Sequence, residues 1–452
     1  MHEKLTELIA EKKYTEIRHI LNDINSADIA LLLEEFERTN MLRLFRLLPK
    51  DIASEVFTYL YSDSQAQLIS AFNDNELRAV LSELYVDDTV DIIEEMPASV
   101  VTRILENSAP DTRREINELL NYPSESTGSV MTTEYVAFRE NMDCDSALNY
   151  LRKCGIDKET IYTCYVTDKR KLIGVVTVKD ILLAKENALI GDIMERSVIS
   201  VSAYEDKETA ARMFDKYDFL ALPVVDKDNR LVGIVTVDDA IDVMRSESNE
   251  DFEVMAAITP TEKSYLKTGV FELVWKRIPW LLLLMLSSVF TSGIISSFEE
   301  ALGVMPVLTA YIPMLMGTGG NAGGQSSVTI IRGLALEEIS GKDIFRILWK
   351  ESRVAVVCSC ILSIVNFAKI VLFDKMLLGN DSITYPVAIS VCLTLAVTVI
   401  AAKLIGCCLP VVAKKIKLDP AVTASPFITT AVDAIALVAY FKISVMLIEG
   451  LM

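Results

Sequence analysis

The stretch from Ala421 to Ile448, AVTASPFITTAVDAIALVAYFKISVMLI, constrains this chain more than any other. About 20 apolar residues suffice to cross a bilayer as a helix, and this run exceeds that length. Asp433 stands in its middle, with no charge before it back to Asp419 and none after it until Lys442. An ionised carboxylate at mid-membrane costs about 3 kcal/mol or more, so it faces a water-filled path or a partner inside a bundle. An aspartate hydrogen-bonded to Ser or Thr of a neighbouring helix would meet the same constraint. The negative sign favours a path for a cation.

The 452 residues leave room for about three domains. Residues 1–271 carry 51 acidic against 30 basic side chains, and residues 272–452 carry 12 against 14. An acidic water-soluble half is therefore joined to an apolar, slightly basic membrane half. This balance argues against a nucleic-acid partner and for cation binding or plain solubility. The opening MHEKLTELIAEKKY reads as a charged amphipathic helix and not as a signal peptide, so the soluble half is expected in the cytoplasm. Five of the eight cysteines (Cys358, Cys360, Cys392, Cys407, Cys408) lie in apolar segments and read as small buried hydrophobes. His2 and His19 are the only histidines, which removes HExxH hydrolases and His-ligated metal centres. No nucleophile–base constellation points to an enzyme.

Residues 1–130 carry apolar positions at helical spacing, such as Ile29, Leu32, Leu33 and Phe36, or Val90, Ile92, Ile93 and Met96. Breaks at Pro49, Pro97 and Pro110 divide this region into about six to eight expected helices, stacked as a helical superhelix. Between Asp51 and Val100 there are 11 acids and one base, Arg78. Asp87, Asp88, Asp91, Glu94 and Glu95 crowd two turns. A solvated face explains them most simply, whereas a divalent cation would relieve their repulsion.

From about residue 131 strands and helices alternate, twice. YVTDKRKLIGVVTVKDIL at 165–182 aligns without gaps on VVDKDNRLVGIVTVDDAI at 224–241, a period of 59. Each unit reads as a β-α-β-β-α module, and such a repeat marks a paired architecture. The pair resembles tandem CBS (Bateman) domains, chiefly in the GVVTVKD and GIVTVDD strings. That resemblance implies that Thr177 with Asp180, and Thr236 with Asp239, can hold the ribose of an adenine nucleotide. The same Thr and Asp would equally cap the following helices. Residues Asp238 to Lys267 read as one long helix leading to the membrane, acidic at its start and basic at Lys263 and Lys267.

The membrane half divides into five apolar segments, near 276–298, within 301–331, and near 352–373, 382–412 and 420–448. Arg332, Lys342, Arg346, Lys350 and Arg353 mark one loop and Lys414, Lys415 and Lys417 another, whereas Glu299, Glu300, Asp374 and Asp381 mark the alternate ones. This alternation places the N-terminus in the cytoplasm and the C-terminus outside. The second segment contains GTGGNAGGQSS, whose glycines permit close helix approach or a broken backbone, and whose Thr318, Asn321, Gln325 and Ser326 favour a polar pathway lining. Lys403 is expected to snorkel to the cytoplasmic end, and Lys369 lies near the outer end of its segment.

IPMLMGTGGNAGGQS, DPAVTASPFITTAVD, the NYPSESTGSVMT junction and the segment order together resemble an MgtE-type magnesium channel over essentially the whole chain. The resemblance implies a multidomain fold: an α-helical superhelical N domain (1–130), an α/β tandem CBS pair (131–245), a linking plug helix (246–271) and an all-α transmembrane domain of five helices (272–452). It implies a homodimer in the bacterial inner membrane with the pore on the two-fold axis. Mg²⁺ would be both cargo and regulator, with ATP as a modulator on the CBS pair. Asp433 matches the pore carboxylate and Asp419 the family's DPA string, and Thr429, Ser425 and Asn321, nearby in motif, offer the hydroxyl and amide oxygens expected to line the pore with them. Asp51, Asp87, Asp88, Asp91, Asp238, Asp239, Asp242, Glu247, Glu250, Asp251 and Glu253 are the candidate carboxylates of a cytosolic Mg²⁺ sensor that closes the channel. Ala436 stands where the family usually has Gly, and Ser425 where it often has Asn. Two other readings stay open: a cation exchanger coupled to H⁺ or Na⁺, and a membrane-anchored nucleotide sensor.

Overall fold

Short amphipathic helices with apolar residues every three or four positions dominate the first 120 residues of the computed structural model. It describes all residues except 186, 262–264, 266, 267, 337, 381, 424 and 449–452. The chain divides into two compact units, Met1–Arg245 and Ser246–Met452.

In the first unit ten helices precede the strands among the described residues, more than the six to eight expected, because turns without proline also end helices. They are α1 (His2–Ala10), α2 (Tyr14–Asn22), α3 (Ser26–Glu34), α4 (Arg38–Phe45), α5 (Lys50–Thr58), α6 (Ser62–Ala71), α7 (Asp74–Leu81), α8 (Val86–Glu95), α9 (Ala98–Asn107) and α10 (Pro110–Leu119). Asn73 and Glu76 open α7 with a capping box, and Asn25 caps the start of α3 through its side chain. The repeat follows as β1 (Ala137–Phe138), α11 (Cys144–Cys154), β2 (Thr163–Asp168), β3 (Lys171–Thr177) and α12 (Val178–Leu183), then α13 (Ile190–Ile193), β4 (Val201–Ser202), α14 (Lys207–Tyr217), β5 (Ala221–Val225), β6 (Leu231–Thr236) and α15 (Val237–Met255).

Each three-stranded sheet pairs its first strand parallel and its third antiparallel to the middle one. A bridge joins Lys171 to Arg230, residues one repeat period apart. It is flanked by reciprocal bonds from Leu172 N–H to the Asn229 carbonyl (3.0 Å) and from Leu231 N–H to the Arg170 carbonyl (2.8 Å). The two modules are thus related by a local two-fold. Gly174 and Gly233 occupy equivalent places, where an added Cβ would meet Met194 at 2.4 Å and Met131 at 2.8 Å. One apolar core runs from the helices into the second module, through Ile93, Ile104, Ile116, Val224 and Val243.

α15 is continuous from the second module to Met255 and stops there, with Ala257 at a φ of 55°. The helix is shorter than the expected run to Lys267, and Lys263 and Lys267 lie outside the described residues.

The second unit contains α16 (Val270–Ser297), α17 (Glu299–Val304), α18 (Ile312–Ala335), α19 (Ile344–Lys369), which continues as a π-helix over Ile370–Leu377, α20 (Tyr385–Lys415) and α21 (Ser425–Leu447). Among the described residues four helical stretches are long and apolar enough to cross a membrane: Val270–Ser297, Gly341–Leu377, Tyr385–Lys415 and Pro426–Leu447. α18, with 24 residues, is not among them, because Thr318, Asn321, Gln325, Ser326 and Ser327 dilute its apolar character. α18, α20 and α21 share a core of Leu315, Val391, Leu395, Ile428 and Val432. α16 has no buried residue.

Candidate functional site

Two groups of polar residues stand out, one in each unit. In the first unit the first two turns of α8 place Asp87, Asp88 and Asp91 beside Asp238 and Asp239, which open α15. The solvated-face reading fails for Asp87, which is only 8 % exposed. Burial first, and the neighbours' negative charge second, push Asp87 up to about 7, Asp88 to about 6, Asp91 to about 8 and Asp239 to about 7. Glu159, just ahead of β2, joins them and is pushed by burial and then by Asp87 to about 8. Oδ1 of Asp87 and Oε2 of Glu159 are buried with no hydrogen-bond partner among the described residues. Such orphaned acceptors mark a gap that a cation or water fills. No three carboxylates converge as a ready inner coordination shell among the described residues.

The remaining candidate carboxylates behave differently. Asp51 on α5, and Asp242 and Glu250 on α15, are exposed. Glu247, Asp251 and Glu253 are partly buried, and a Glu253 oxygen accepts the Thr261 N–H at 2.7 Å. The structure thus gathers Asp87, Asp88, Asp91, Asp238 and Asp239. It adds Glu159, with Glu134 contributing negative charge beside Asp87.

Thr177 with Asp180 forms a reciprocal capping box at the start of α12, and the Thr236 hydroxyl bonds the Asp239 carboxylate at the start of α15. The helix-capping reading holds for both pairs. Asp180 is exposed, so the first module keeps an open Thr/Asp pair, whereas Asp239 is drawn into the acidic group.

In the second unit α18 is unbroken, so of the two readings of its glycines close helix approach holds, at Gly319, Gly320 and Gly323. An added Cβ at Gly319 would meet Thr398 at 2.6 Å and Val432 at 2.7 Å, and one at Gly320 would meet Thr429 at 2.9 Å. This packing sets α18 directly against the face of α21 that carries Thr429 and, one turn on, the half-buried Asp433. Asp433 has no hydrogen bond or ion pair among the described residues. Asn321 and Gln325 share an exposed stripe of α18. Asp419 caps the turn before α21 by accepting the Ala421 N–H at 2.8 Å. The side chain of Ser425 lies outside what the structure describes.

Ser326 is not part of that exposed stripe. It is 2 % exposed and donates to Glu351 of α19 at 2.9 Å while accepting from Lys403 of α20 at 3.3 Å. Lys403, at 6 % exposed, does not snorkel to a helix end. Lys369 pairs with Asp374 at 2.7 Å, and the Tyr311 hydroxyl donates to the same carboxylate at 3.1 Å.

Comparison with known proteins accounts for most of the chain. Residues 312–443 match the MgtE divalent cation transporter family, residues 24–125 its intracellular N domain, and residues 128–187 and 190–246 the CBS domain. The magnesium transporter MgtE of Thermus thermophilus is 34 % identical over 100 % of both chains. That of Bacillus subtilis is 32 % identical over 98 % of this chain and 96 % of its own. A solved cytosolic domain of the Mg²⁺ channel MgtE in complex with ATP is 37 % identical, with a TM-score of 0.52, over 54 % of this chain and 100 % of its own. Joined to four candidate membrane helices, these likenesses identify a multi-pass membrane protein that belongs to the MgtE family of divalent cation transporters.

Proposed function

We propose that this chain mediates Mg²⁺ influx as a homodimeric channel and that cytosolic Mg²⁺ closes it. The observation that carries the reading is Asp433, midway along an apolar helix, half-buried and without a countercharge among the described residues, in a chain similar from end to end to named magnesium transporters. Two copies of Asp433 across a dimer axis would supply two charges to one dication. The unburied α16 leaves a surface for lipid and a second copy. Mg²⁺ sheds its waters reluctantly, so hydroxyls and amides such as Thr429 and Asn321 would hold it hydrated. The acidic group of Asp87, Asp88, Asp91, Asp239 and Glu159 is the sensor in this reading. An adenine nucleotide such as ATP would sit at the open Thr177/Asp180 pair as a modulator. The N-terminal half lies in the cytoplasm.

Uptake into proteoliposomes with internal Mg²⁺ varied tests this reading. Flux is expected to follow the Mg²⁺ gradient without counter-ion movement and to shut off as internal Mg²⁺ rises. Flux that requires an opposing H⁺ or Na⁺ gradient, or that ignores internal Mg²⁺, overturns it. In a variant carrying Asp87→Asn, Asp91→Asn and Asp239→Asn the shut-off is expected to need at least about tenfold more internal Mg²⁺, for a lost coupling on the order of 1.4 kcal/mol.

The same carboxylates predict a pH dependence. Their folded-state values are raised, so between about pH 6 and 8 the native state binds protons that the unfolded state does not. The electrostatic penalty is absent below the ordinary carboxylate range and complete above about pH 8. Without divalent cations, the full-length protein in detergent is expected to melt several degrees higher at pH 6 than at pH 8, at about 2–4 °C per kcal/mol. Millimolar Mg²⁺ is expected to raise the melting temperature at pH 8 and flatten the difference. A melting temperature that falls on acidification from pH 8 to 6 would count against the cluster.

A further inference from the structure

A lysine buried inside a membrane bundle demands a reason. Lys403 lies 12 residues before the end of α20, about 18 Å at the helical rise, which is beyond the reach of its side chain. Its ammonium has three donors and no acceptor, so the bond to Ser326 Oγ runs from lysine to hydroxyl. An ionised Glu351 has only acceptors, so the hydroxyl proton must point to Glu351 Oε2. One serine hydroxyl therefore links a cation on α20 to an anion on α19, and the link crosses α18. Close by, an added Cβ on Gly406 of α20 would meet the Gly323 carbonyl of α18 at 2.2 Å, so the two backbones touch there. Sliding or rotating α18 would break both the backbone contact and the relay.

We propose that Lys403 is a positioning residue: a tethered internal cation that neutralises Glu351 through Ser326 and fixes the rotation of α18, the helix that presents Asn321 and Gln325. The relay joins α18, α19 and α20 through one buried hydroxyl. It keeps Glu351 from competing with the transport path for the permeating ion. Lys403 is buried and Glu351 partly buried, so losing either charge leaves the other in or at the edge of the bundle uncompensated, which destabilises more than losing both.

A double-mutant cycle distinguishes this from ordinary packing. Mg²⁺ uptake and melting temperature are measured for Lys403→Met, Glu351→Gln and the double variant. Each single substitution is expected to lower uptake at least tenfold and to lower the melting temperature, while the double variant recovers to within threefold of the parent. Ser326→Ala is expected to mimic the single losses, because it cuts the relay and keeps both charges. Packing contacts alone would make the two losses add. A double variant as impaired as the summed singles overturns the proposal, as does Lys403→Met with unchanged uptake and melting. Should Lys403→Met fail to fold, a double variant more stable than Glu351→Gln still supports the coupling, and one equally or less stable overturns it. The uptake arm rests on the transport reading above and the melting arm does not, so the two fail separately.

Discussion

Asp433→Asn is expected to reduce Mg²⁺ uptake into proteoliposomes by about two orders of magnitude while leaving the melting temperature within a few degrees of the parent. The substitution keeps shape and hydrogen-bonding capacity and removes only the charge. In the half-buried setting of α21, a carboxylate acting on a dication at several ångströms is worth on the order of 3 kcal/mol or more, which is about a hundredfold in a binding or barrier term. If the carboxylate were instead a structural hydrogen-bond acceptor to Ser or Thr, Asn would replace it with little loss. No such bond reaches it among the described residues. Thr430, which faces Ser287 at 3.3 Å and back-bonds to Pro426, supplies the control, since Thr430→Ser keeps its hydroxyl and is expected to transport within twofold of the parent. Asp433→Asn transporting at the parental rate would remove this residue from the ion path.

How far the chain can be read before it folds differs from residue to residue. Asp433 is legible because a charge in an apolar run of membrane length has few explanations. The local two-fold of the CBS pair is legible because the repeat is gapless, and the bridge between Lys171 and Arg230 falls one period apart. The carboxylates of α8 are visible as a cluster but not as a site, because an acidic first turn also describes a solvated helix end. Their burial arises only when α8 packs near the second module. Glu159 is hidden altogether, since nothing in its local KETIY context separates it from a surface residue. Lys403 misleads for a related reason: a lysine toward the basic end of an apolar helix normally snorkels, and only the packing of α18 and α19 shows otherwise. The glycines of α18 are legible as close-packing residues, but which helix each one faces is settled by register in three dimensions.

Gly406→Ala is expected to be the most damaging single-carbon addition in the second unit. The new Cβ would lie 2.2 Å from the Gly323 carbonyl oxygen and 3.0 Å from its carbon. Both atoms belong to the backbone of a regular helix, so no flexible side chain can swing away. Relief requires α18 and α20 to part by roughly 1 Å, which forfeits dispersion contacts along the whole seam. Overpacking of a rigid core costs up to about 3 kcal/mol, and backbone against backbone belongs at or above that limit. Gly319→Ala is expected to be milder, since it meets the side-chain atoms of Thr398 and Val432. Gly293→Ala on α16, where an added Cβ meets nothing within 4 Å, is expected to be neutral. Melting in detergent and Mg²⁺ uptake for the three variants test the order: Gly406→Ala should melt on the order of 10 °C lower and lose at least tenfold in uptake. The parting of α18 from α20 would also pull Ser326 from Lys403, so adding Gly406→Ala to Lys403→Met/Glu351→Gln should cost less than adding it to the parent. Equal costs in the two backgrounds would mean that the backbone contact and the buried relay stabilise the seam independently.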